Sequence, residues 1–252
     1  MITGNAFKNI ADDFLDESKS FIDLSLKPKI IFLYTDWLPL FKQKVLPKID
    51  YQFKLITHNS DLPVKQSHLD ILDDKRLLKW YGMNCHIKHP KLQPIPIGIA
   101  NEKWPHGNKK VLMEVINTPV EKIDRVYCNF KPETTSVRRD IIPELLKHDF
   151  IDFKEPNLSF KDYLLQLKSY KWVISPPGNS IDCHRIWESI YVGTIPIVLN
   201  HICHNSWIDL PIQFINSFTN ITIEGLTSQY DQIINKSKEK SRFIYYTEII
   251  NE

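Results

Sequence analysis

Residues 172–199 read WVISPPGNSIDCHRIWESIYVGTIPIVL. The stretch begins with the apolar run WVIS, passes through a proline and glycine turn into a segment with helical spacing, and ends after Gly193 with the apolar run IPIVL. An apolar run, a tight turn, an amphipathic helix and a second apolar run are typical of the strand–helix–strand unit of a parallel sheet. This stretch therefore predicts an α/β fold.

The turn in this unit has the composition of a phosphate-binding loop. Ligands of open α/β sheets lie at the carboxyl ends of the strands, where this turn is found. Glycine lets the backbone approach a ligand closely, and the N-terminus of the next helix offers free N–H groups and a partial positive charge. The expected diphosphate contacts in the turn are Ser175, Pro177, Gly178, Asn179 and Ser180.

Charged residues stand three or four positions apart on the helix that follows, so that Arg185 and Glu188 share one face at its exposed beginning. An arginine there can make a bidentate contact with a diphosphate, and a carboxylate one turn deeper can accept hydrogen bonds from ribose hydroxyls. The alternative is a surface salt bridge with no ligand. A salt bridge alone would require neither the proline and glycine turn nor Gly193.

Short apolar runs bounded by turn residues recur along the rest of the chain and predict further buried strands. They lie at residues 29–34, 53–57, 92–99 and 125–130. Segments with helical spacing lie at residues 67–81, 136–147, 159–169, 182–192 and 225–240. This alternation predicts parallel sheets with helices on their faces.

The polar, proline-containing stretch at residues 101–124 separates two sets of α/β elements. We place a domain boundary in it, between an N-terminal lobe of residues 1–120 and a C-terminal lobe of residues 121–252. A further hypothesis is that the end of the chain crosses back and packs on the N-terminal lobe.

Composition narrows the class of protein. The 252 residues are 42% hydrophobic and 25% charged, which is ordinary for a globular chain. A net charge of +2 argues against a nucleic-acid partner, and four scattered cysteines without a C-x-x-C pair argue against a zinc knuckle or a disulfide scaffold. With no secretory signal and no apolar stretch near the ~20 residues of a membrane span, the sequence predicts a soluble, cytoplasmic protein.

The pattern S-P-P-G-N-x-x-D-x-x-R-x-W-E-x-x-x-x-G-x-I-P-I-V in residues 175–198 resembles the nucleotide-sugar signature of exostosin-like enzymes, glycosyltransferase family 47. Residues 57–61 (THNSD) and 79–108 look like segments of exostosin-like proteins of large DNA viruses of algae, such as chlorovirus-type xylosyltransferases. These segments cover about a quarter to a third of the chain. The resemblance implies a GT-B fold, with two Rossmann-like lobes and a cleft between them.

The resemblance also implies roles for particular residues. Arg185 would hold the diphosphate and Glu188 the ribose. The segment 129–139 (NFKPETTSVRR) resembles a strand-end loop of the family and implies a second basic contact, with Arg138 the first choice and Arg139 the second. The alternative for both is an exposed helix N-terminus with incidental charge, where a cation opposes the helix dipole unless an anion is present.

The base that accepts the acceptor's proton is expected in the N-terminal lobe. Asp61, in the loop THNSD, is the candidate, and His58 is the runner-up. An Asx turn is the alternative explanation of this loop. Three histidines (His86, His89 and His106), with Trp104, either line an acceptor site or are structural, since their spacing matches no standard metal site.

The implied activity is transfer of a sugar, with xylose the first guess, from a UDP-sugar donor to a glycan or glycoprotein acceptor. The resemblance implies inversion, and its suggested role is glycosylation of a viral capsid protein in the host cytoplasm. The sequence contains no Asp-x-Asp triplet, so no metal or other cofactor is expected. A sugar-nucleotide hydrolase and a glycan-binding module of the same fold remain alternatives.

Overall fold

The computed structural model describes all 252 residues, and the chain divides into two compact units. The first unit contains Ile2–Ile97 together with Phe243–Glu252. The second unit contains Gly98–Arg242 together with Met1.

Ten strands form two five-stranded sheets in which every neighbouring pair is parallel. The first sheet contains, in spatial order, β1 (Asp13–Leu15), β2 (Ile30–Tyr34), β3 (Phe53–His58), β4 (Leu77–Gly82) and β5 (Leu92–Pro94). The second contains β6 (Ile123–Cys128), β7 (Ile151–Phe153), β8 (Tyr170–Ile174), β9 (Ile195–Leu199) and β10 (Gln213–Ile215), in the spatial order β10-β9-β8-β6-β7. Each unit is an α/β layer with a parallel sheet, so the prediction of a GT-B-like fold with two Rossmann-like lobes is confirmed.

An α-helix lies between most pairs of consecutive strands, but none lies between β1 and β2, β4 and β5, or β9 and β10. The helices are α1 (Gly4–Asn9), α2 (Leu38–Leu40), α3 (Leu69–Leu72), α4 (Lys109–Asn117), α5 (Ser136–Leu145), α6 (Phe160–Lys168), α7 (His184–Val192), α8 (Ile223–Ile234) and α9 (Phe243–Asn251). None of them combines the length and the hydrophobicity needed to span a bilayer.

The second sheet is buried on both faces. Val126 and Trp172 contribute to the apolar cluster on one face, while Tyr127 and Val173, each the next residue along its strand, contribute to the cluster on the other. Successive side chains of a strand point to opposite faces, so a strand covered on both sides is apolar at consecutive positions. This explains why the runs at residues 172–174 and 195–199 are apolar throughout.

The predicted helix at residues 67–81 is wrong beyond its first turn. A 3-10 turn at Gln66–His68 leads into the short α-helix Leu69–Leu72, and Leu77–Gly82 forms β4 between β3 and β5. Asp74 accepts hydrogen bonds from the backbone N–H and the Nε of Arg76, at 2.8 and 2.9 Å, which fixes a turn between helix and strand. The apolar spacing fits a helix, but pairing with two neighbouring strands determines the outcome.

The stretch at residues 101–124 contains α4, which the sequence analysis took for part of a connection. Leu112 and Val115 of this helix pack in the core of the second unit. The Nζ of Lys168 donates to the carbonyl oxygens of Val115 and Ile116 at the end of α4, at 2.9 and 2.7 Å. These contacts place residues 98–120 in the second unit, whereas the sequence analysis put the boundary near residue 120.

Helix α9 belongs to the first unit, although it lies at the end of the chain. Its Tyr246 is 1% exposed and its Ile250 is fully buried. The ring of Phe7 contacts those of Phe243 and Tyr246, with centroid distances of 5.2 and 5.8 Å. The Nζ of Lys54 donates to the carbonyl oxygen of Ile250 at 2.7 Å.

Gly193 ends α7 in the left-handed conformation, with φ of 77°. A Cβ at this position would meet nothing within 4 Å, so a substitution would be opposed by the backbone conformation alone. We expect Gly193→Ala to lower the free energy of unfolding by about 1 kcal/mol and Gly193→Asn to lower it less, because asparagine tolerates this conformation better. Urea unfolding of the three proteins measures this, and equal stability of the alanine and wild-type proteins would contradict it.

Candidate functional site

The candidate site lies where the strand order of the second sheet reverses. From β6 the chain moves outward to β7, then returns to the other side of β6 to form β8 and continues to β9. The loops that follow β6 and β8 therefore separate at their carboxyl ends and leave a crevice, which is where open α/β sheets bind ligands. The loop after β6 leads to α5, and the loop after β8 leads to α7.

Gly178 of the loop after β8 lies directly against the side chain of Arg138. A methyl group at position 178 would lie 3.0 Å from its Nη2 atom. The Nε of Arg138 donates to the carbonyl oxygen of Pro177 at 3.0 Å, and the Nη1 donates to Oγ1 of Thr134 at 3.3 Å. The glycine thus accommodates a guanidinium group of the protein itself, which the sequence analysis did not foresee.

Helix α5 presents Arg138 from its first turn. Thr135 caps the helix by accepting a hydrogen bond from the backbone N–H of Arg138 at 3.3 Å. The side chain of Arg138 is 9% exposed, and its guanidinium carbon lies 5.7 Å from the centroid of the Phe130 ring. Arg138 is therefore held in place at the crevice, whereas its neighbour Arg139 is exposed.

Arg185 reaches the same crevice from the first turn of α7. Its Nη2 donates to the carbonyl oxygen of Asn129, the first residue after β6, while its Nε is buried without a hydrogen-bond partner. The N-cap residue of α7, Cys183, makes no side-chain capping hydrogen bond. The site thus contains an unused guanidinium donor beside a helix N-terminus without a side-chain cap.

Neither Arg138 nor Arg185 forms a salt bridge with a carboxylate, although the nearby charge of Glu188 favours the charged form of Arg185. Burial lowers the pKa of Arg138, and the nearby charge of Arg185 lowers it further. Two like charges in a partly dry site repel each other and favour the entry of an anion that can contact both. This is the electrostatic character of the site.

Glu188, one turn after Arg185, is 4% exposed rather than lying at an exposed helix beginning as predicted. The hydroxyl group of Tyr163 in α6 donates to its Oε2 at 2.9 Å. Burial raises the pKa of Glu188, although the hydrogen bond from Tyr163 and the charge of Arg185 oppose this. One carboxylate oxygen of Glu188 is therefore bound to the protein, while the residue still lines the cavity described next.

A cavity of about 530 Å³ unites these residues, and all of its lining comes from the second unit. This volume lies in the range of small-molecule sites. Arg138, Arg185, the exposed Lys131 and Glu188 supply its charged groups. Its apolar and aromatic lining includes Phe130, Pro156, Leu158, Phe160 and Tyr163. The cavity thus offers two guanidinium groups, one exposed lysine, one carboxyl group and an apolar wall.

A second, smaller cavity of about 90 Å³ lies on the other side of the same turn, at the ends of β8 and β9. Ser175 and Pro177 line it, together with His204. The Oγ of Ser175 and the Nε2 of His204 are both buried without a hydrogen-bond partner. The structure therefore places Ser175 at this smaller cavity, while Arg138 and Arg185 line the larger one.

His204 is 3% exposed, and its Nδ1 donates to the carbonyl oxygen of Leu199 at 3.2 Å. Burial lowers its pKa to about 4, the bond to Leu199 opposes this, and His201 lowers it further. As the pH falls below 6.5, His204 of the unfolded chain binds a proton, whereas His204 of the folded protein does so only near pH 4. The free energy of unfolding therefore decreases as the pH falls from 6.5 to 4. The full effect is about 3 kcal/mol.

We therefore expect the free energy of unfolding to fall less between pH 7 and pH 4 in His204→Asn than in the wild type. The asparagine amide can keep the hydrogen bond to Leu199 but does not titrate. Denaturant unfolding at several pH values measures the difference, and parallel pH dependences in the two proteins would contradict the prediction.

Three predicted turn residues, Gly178, Asn179 and Ser180, lie outside both cavity linings. Asn179 is exposed, and Ser180 is buried, with its carbonyl oxygen accepting a hydrogen bond from the N–H of Gly178 at 3.0 Å. The lining residues Phe130 and Tyr163 were not singled out from the sequence. Tyr163 lies in the apolar stripe of α6, and nothing in that spacing distinguishes a buried tyrosine of the core from one that binds a carboxyl group.

The predicted base and its runner-up belong to the first unit. Asp61 is exposed in the loop after β3, and the side chain of Asn84 donates to its carbonyl oxygen at 3.2 Å. His58 is 1% exposed, its Nε2 donates to the carbonyl oxygen of Pro96 at 3.0 Å, and its Nδ1 accepts from the backbone N–H of Asn59 at 2.7 Å. Both ring nitrogens of His58 are thus engaged, which disfavours it as a base.

No group of three or more His, Cys, Asp or Glu residues in the structure is arranged to hold a metal ion. Burial raises the pKa of Cys183, the N-cap residue of α7. The raised pKa disfavours the thiolate form that a cysteine nucleophile requires.

Comparisons with known proteins add little. No protein-family model matches the sequence, and no curated protein matches it. Among solved structures, UDP-GlcNAc 2-epimerase from Methanocaldococcus jannaschii is similar with a TM-score of 0.35 and 11% identity, over 85% of this chain and 72% of that chain. A similarity of this size says nothing about activity, and membership of the exostosin-like family stays a prediction from the sequence motif.

Proposed function

We propose that this chain is a glycosyltransferase that binds the diphosphate of a nucleotide-sugar in the cavity of its second unit that Arg138 and Arg185 line. The observation that carries the proposal is the pair Arg138 and Arg185, whose guanidinium groups line one cavity and form no salt bridge with a carboxylate. A diphosphate supplies two adjacent anionic groups that two guanidinium groups can bind together. The N-terminus of α7 adds N–H groups and a partial positive charge.

The rest of the cavity suits the nucleoside. Glu188 lines the cavity one turn after Arg185, as expected of a group that accepts hydrogen bonds from ribose hydroxyls. The apolar wall, which includes Phe160 and Pro156, offers surfaces on which a planar base can pack. The sequence resemblance to exostosin-like enzymes supports uridine as the base and xylose as the first choice of sugar.

The proposed chemistry needs stabilisation of the leaving diphosphate and a proton acceptor. Arg138, Arg185 and the helix N-terminus would stabilise the charge that develops on the departing diphosphate. Asp61, an exposed carboxylate at the end of β3, is the proposed base, and Asp61→Asn is expected to slow transfer without weakening UDP binding. Inversion, a glycan or glycoprotein acceptor and a role in viral glycosylation are carried by the sequence resemblance alone.

The test is a binding and turnover screen on the whole chain. Thermal unfolding is recorded with UDP, GDP, CMP and a panel of UDP-sugars, with and without EDTA. Specific binding at a hundredfold excess over Kd adds about 2.7 kcal/mol to stability. A UDP shift that persists in EDTA, followed by UDP release that requires an added glycan, supports the proposal. UDP release at full rate without a glycan would indicate a hydrolase, and no response to any nucleotide would overturn the proposal.

A further inference from the structure

The smaller cavity behind the Pro176 to Gly178 turn contains two polar groups that the protein leaves unused. The residues Ser175 and His204 are 2% and 3% exposed. The Oγ of Ser175 and the Nε2 of His204 both lack a hydrogen-bond partner. Buried polar groups nearly always have a partner, because an unpaired one loses its hydrogen bonds to water without replacement. Two such groups on residues that line one cavity indicate that an occupant able to form hydrogen bonds, either water or a ligand, binds there.

The hydrogen bond made by the Nδ1 of His204 determines whether its Nε2 donates or accepts. Because the carbonyl oxygen of Leu199 can only accept, the Nδ1 bonded to it at 3.2 Å carries the hydrogen. The ring is neutral at physiological pH, since burial lowers its pKa to about 4. Its Nε2 is then a lone-pair acceptor and requires an O–H or N–H donor from the occupant, while the Ser175 hydroxyl can donate or accept.

The surroundings exclude a second phosphate as the occupant. The lining contains no lysine or arginine, and its apolar part consists of Pro177, Ile181, Val198 and Leu199. A group with hydroxyls on one side and C–H bonds on another fits such a lining, as a pyranose ring does. The volume of about 90 Å³ is enough for several water molecules and too small for a whole nucleotide.

The smaller cavity adjoins the proposed diphosphate site through a single residue. Pro177 lines the smaller cavity, and its carbonyl oxygen accepts the hydrogen bond from Nε of Arg138, which lines the larger one. A group covalently attached to a diphosphate at Arg138 would therefore have the smaller cavity as its neighbour. The Pro176 to Gly178 turn therefore lies between the larger cavity, which has charged side chains in its lining, and the smaller cavity, which has no lysine, arginine, aspartate or glutamate in its lining.

We propose that this smaller cavity binds hydroxyl groups of the sugar carried by the nucleotide donor, with His204 Nε2 accepting from one hydroxyl and Ser175 contacting another. The inference rests on the proposed function, since it takes the sugar to be attached to a diphosphate held by Arg138 and Arg185. It makes His204, which the sequence analysis did not select, a residue that determines which sugar is accepted.

The test compares the Kd of UDP with the Kd of UDP-xylose, UDP-glucose, UDP-galactose, UDP-GlcNAc and UDP-glucuronate by calorimetry. The ratio of the UDP-sugar Kd to the UDP Kd isolates the contribution of the sugar. For the preferred sugar, His204→Asn keeps the donor to Leu199 but removes the Nε2 acceptor, and we expect the ratio to rise about tenfold. In His204→Gln the amide oxygen can replace Nε2, so the ratio is expected to rise less.

Ser175→Ala provides an independent variant, which is expected to raise the same ratio and matters most if the His204 variants fold poorly. A ratio that stays at the wild-type value in all folded variants would overturn the inference and leave the proposed function standing. An equal loss of UDP and UDP-sugar affinity would assign the cavity to the nucleotide instead. Absence of UDP binding by the wild type would overturn the proposed function, and the inference with it.

Discussion

Arg185→Ala is expected to weaken UDP binding by about 4 kcal/mol, which is roughly a thousandfold in Kd. The guanidinium group has one bond to the protein, to the carbonyl oxygen of Asn129, and a buried Nε without a partner. Its loss removes one of the two guanidinium groups that line the cavity and leaves Arg138 and the exposed Lys131 with the diphosphate. Calorimetric titration with UDP at constant ionic strength measures the change.

The chain offers a matched control for this experiment. Arg138 and Arg139 are consecutive arginines of α5, but the first is 9% exposed and lines the cavity, while the second is exposed and does not. We expect Arg138→Ala to weaken UDP binding strongly and Arg139→Ala to leave it within about twofold of wild type, as for a surface charge. Equal losses in the two variants would mean that net charge, and not the cavity, governs binding.

Arg185→Lys tests the geometry as well as the charge. Lysine keeps the positive charge but presents a compact ammonium group in place of a planar fork of donors. An affinity between those of the alanine variant and the wild type is expected. Full recovery in the lysine variant would show that a point charge suffices and that a bidentate contact is not made.

Removal of residues 243–252 is expected to destabilise the first unit by about 5 kcal/mol or more, since helix α9 buries Tyr246 and Ile250 and each such side chain is worth about 2–5 kcal/mol. The deletion also uncovers Phe7 and leaves the hydroxyl of Tyr81 without the carbonyl oxygen of Ile249, which accepts its hydrogen bond at 2.5 Å. A loss of this size is comparable to the whole stability of many domains. We expect the truncated chain to unfold at a much lower temperature.

Ile250→Ala gives the same information without changing the chain length. It is expected to cost about 2–4 kcal/mol, while Ile244→Ala, at a position that is 59% exposed on the same helix, should cost little. Thermal and urea unfolding of the three proteins separate these cases. A truncated chain as stable as the full one would contradict the packing of α9 in this unit.

Local signals explain which parts of the fold could be predicted. Residues 172–199 combine a consecutive apolar run, a proline and glycine turn, and Gly193 at a helix end, and each of these has a local physical meaning. Strand β4 and helix α4 could not be found in this way. The apolar spacing of residues 77–81 suits a helix, while the polar residues around α4 concealed the short apolar stripe that includes Leu112 and Val115.

The amino-acid sequence by itself determined the α/β class, the parallel sheets and a short set of candidate residues that included Arg138, Arg185 and Glu188. Only the tertiary structure decided that these three line one cavity, that Gly178 lies against a guanidinium group, and that Ser175 and His204 share a separate cavity. Propensity and periodicity act over a few neighbouring residues. Contacts between residues far apart in the chain depend on how strands pair and helices pack, and no local pattern contains that information.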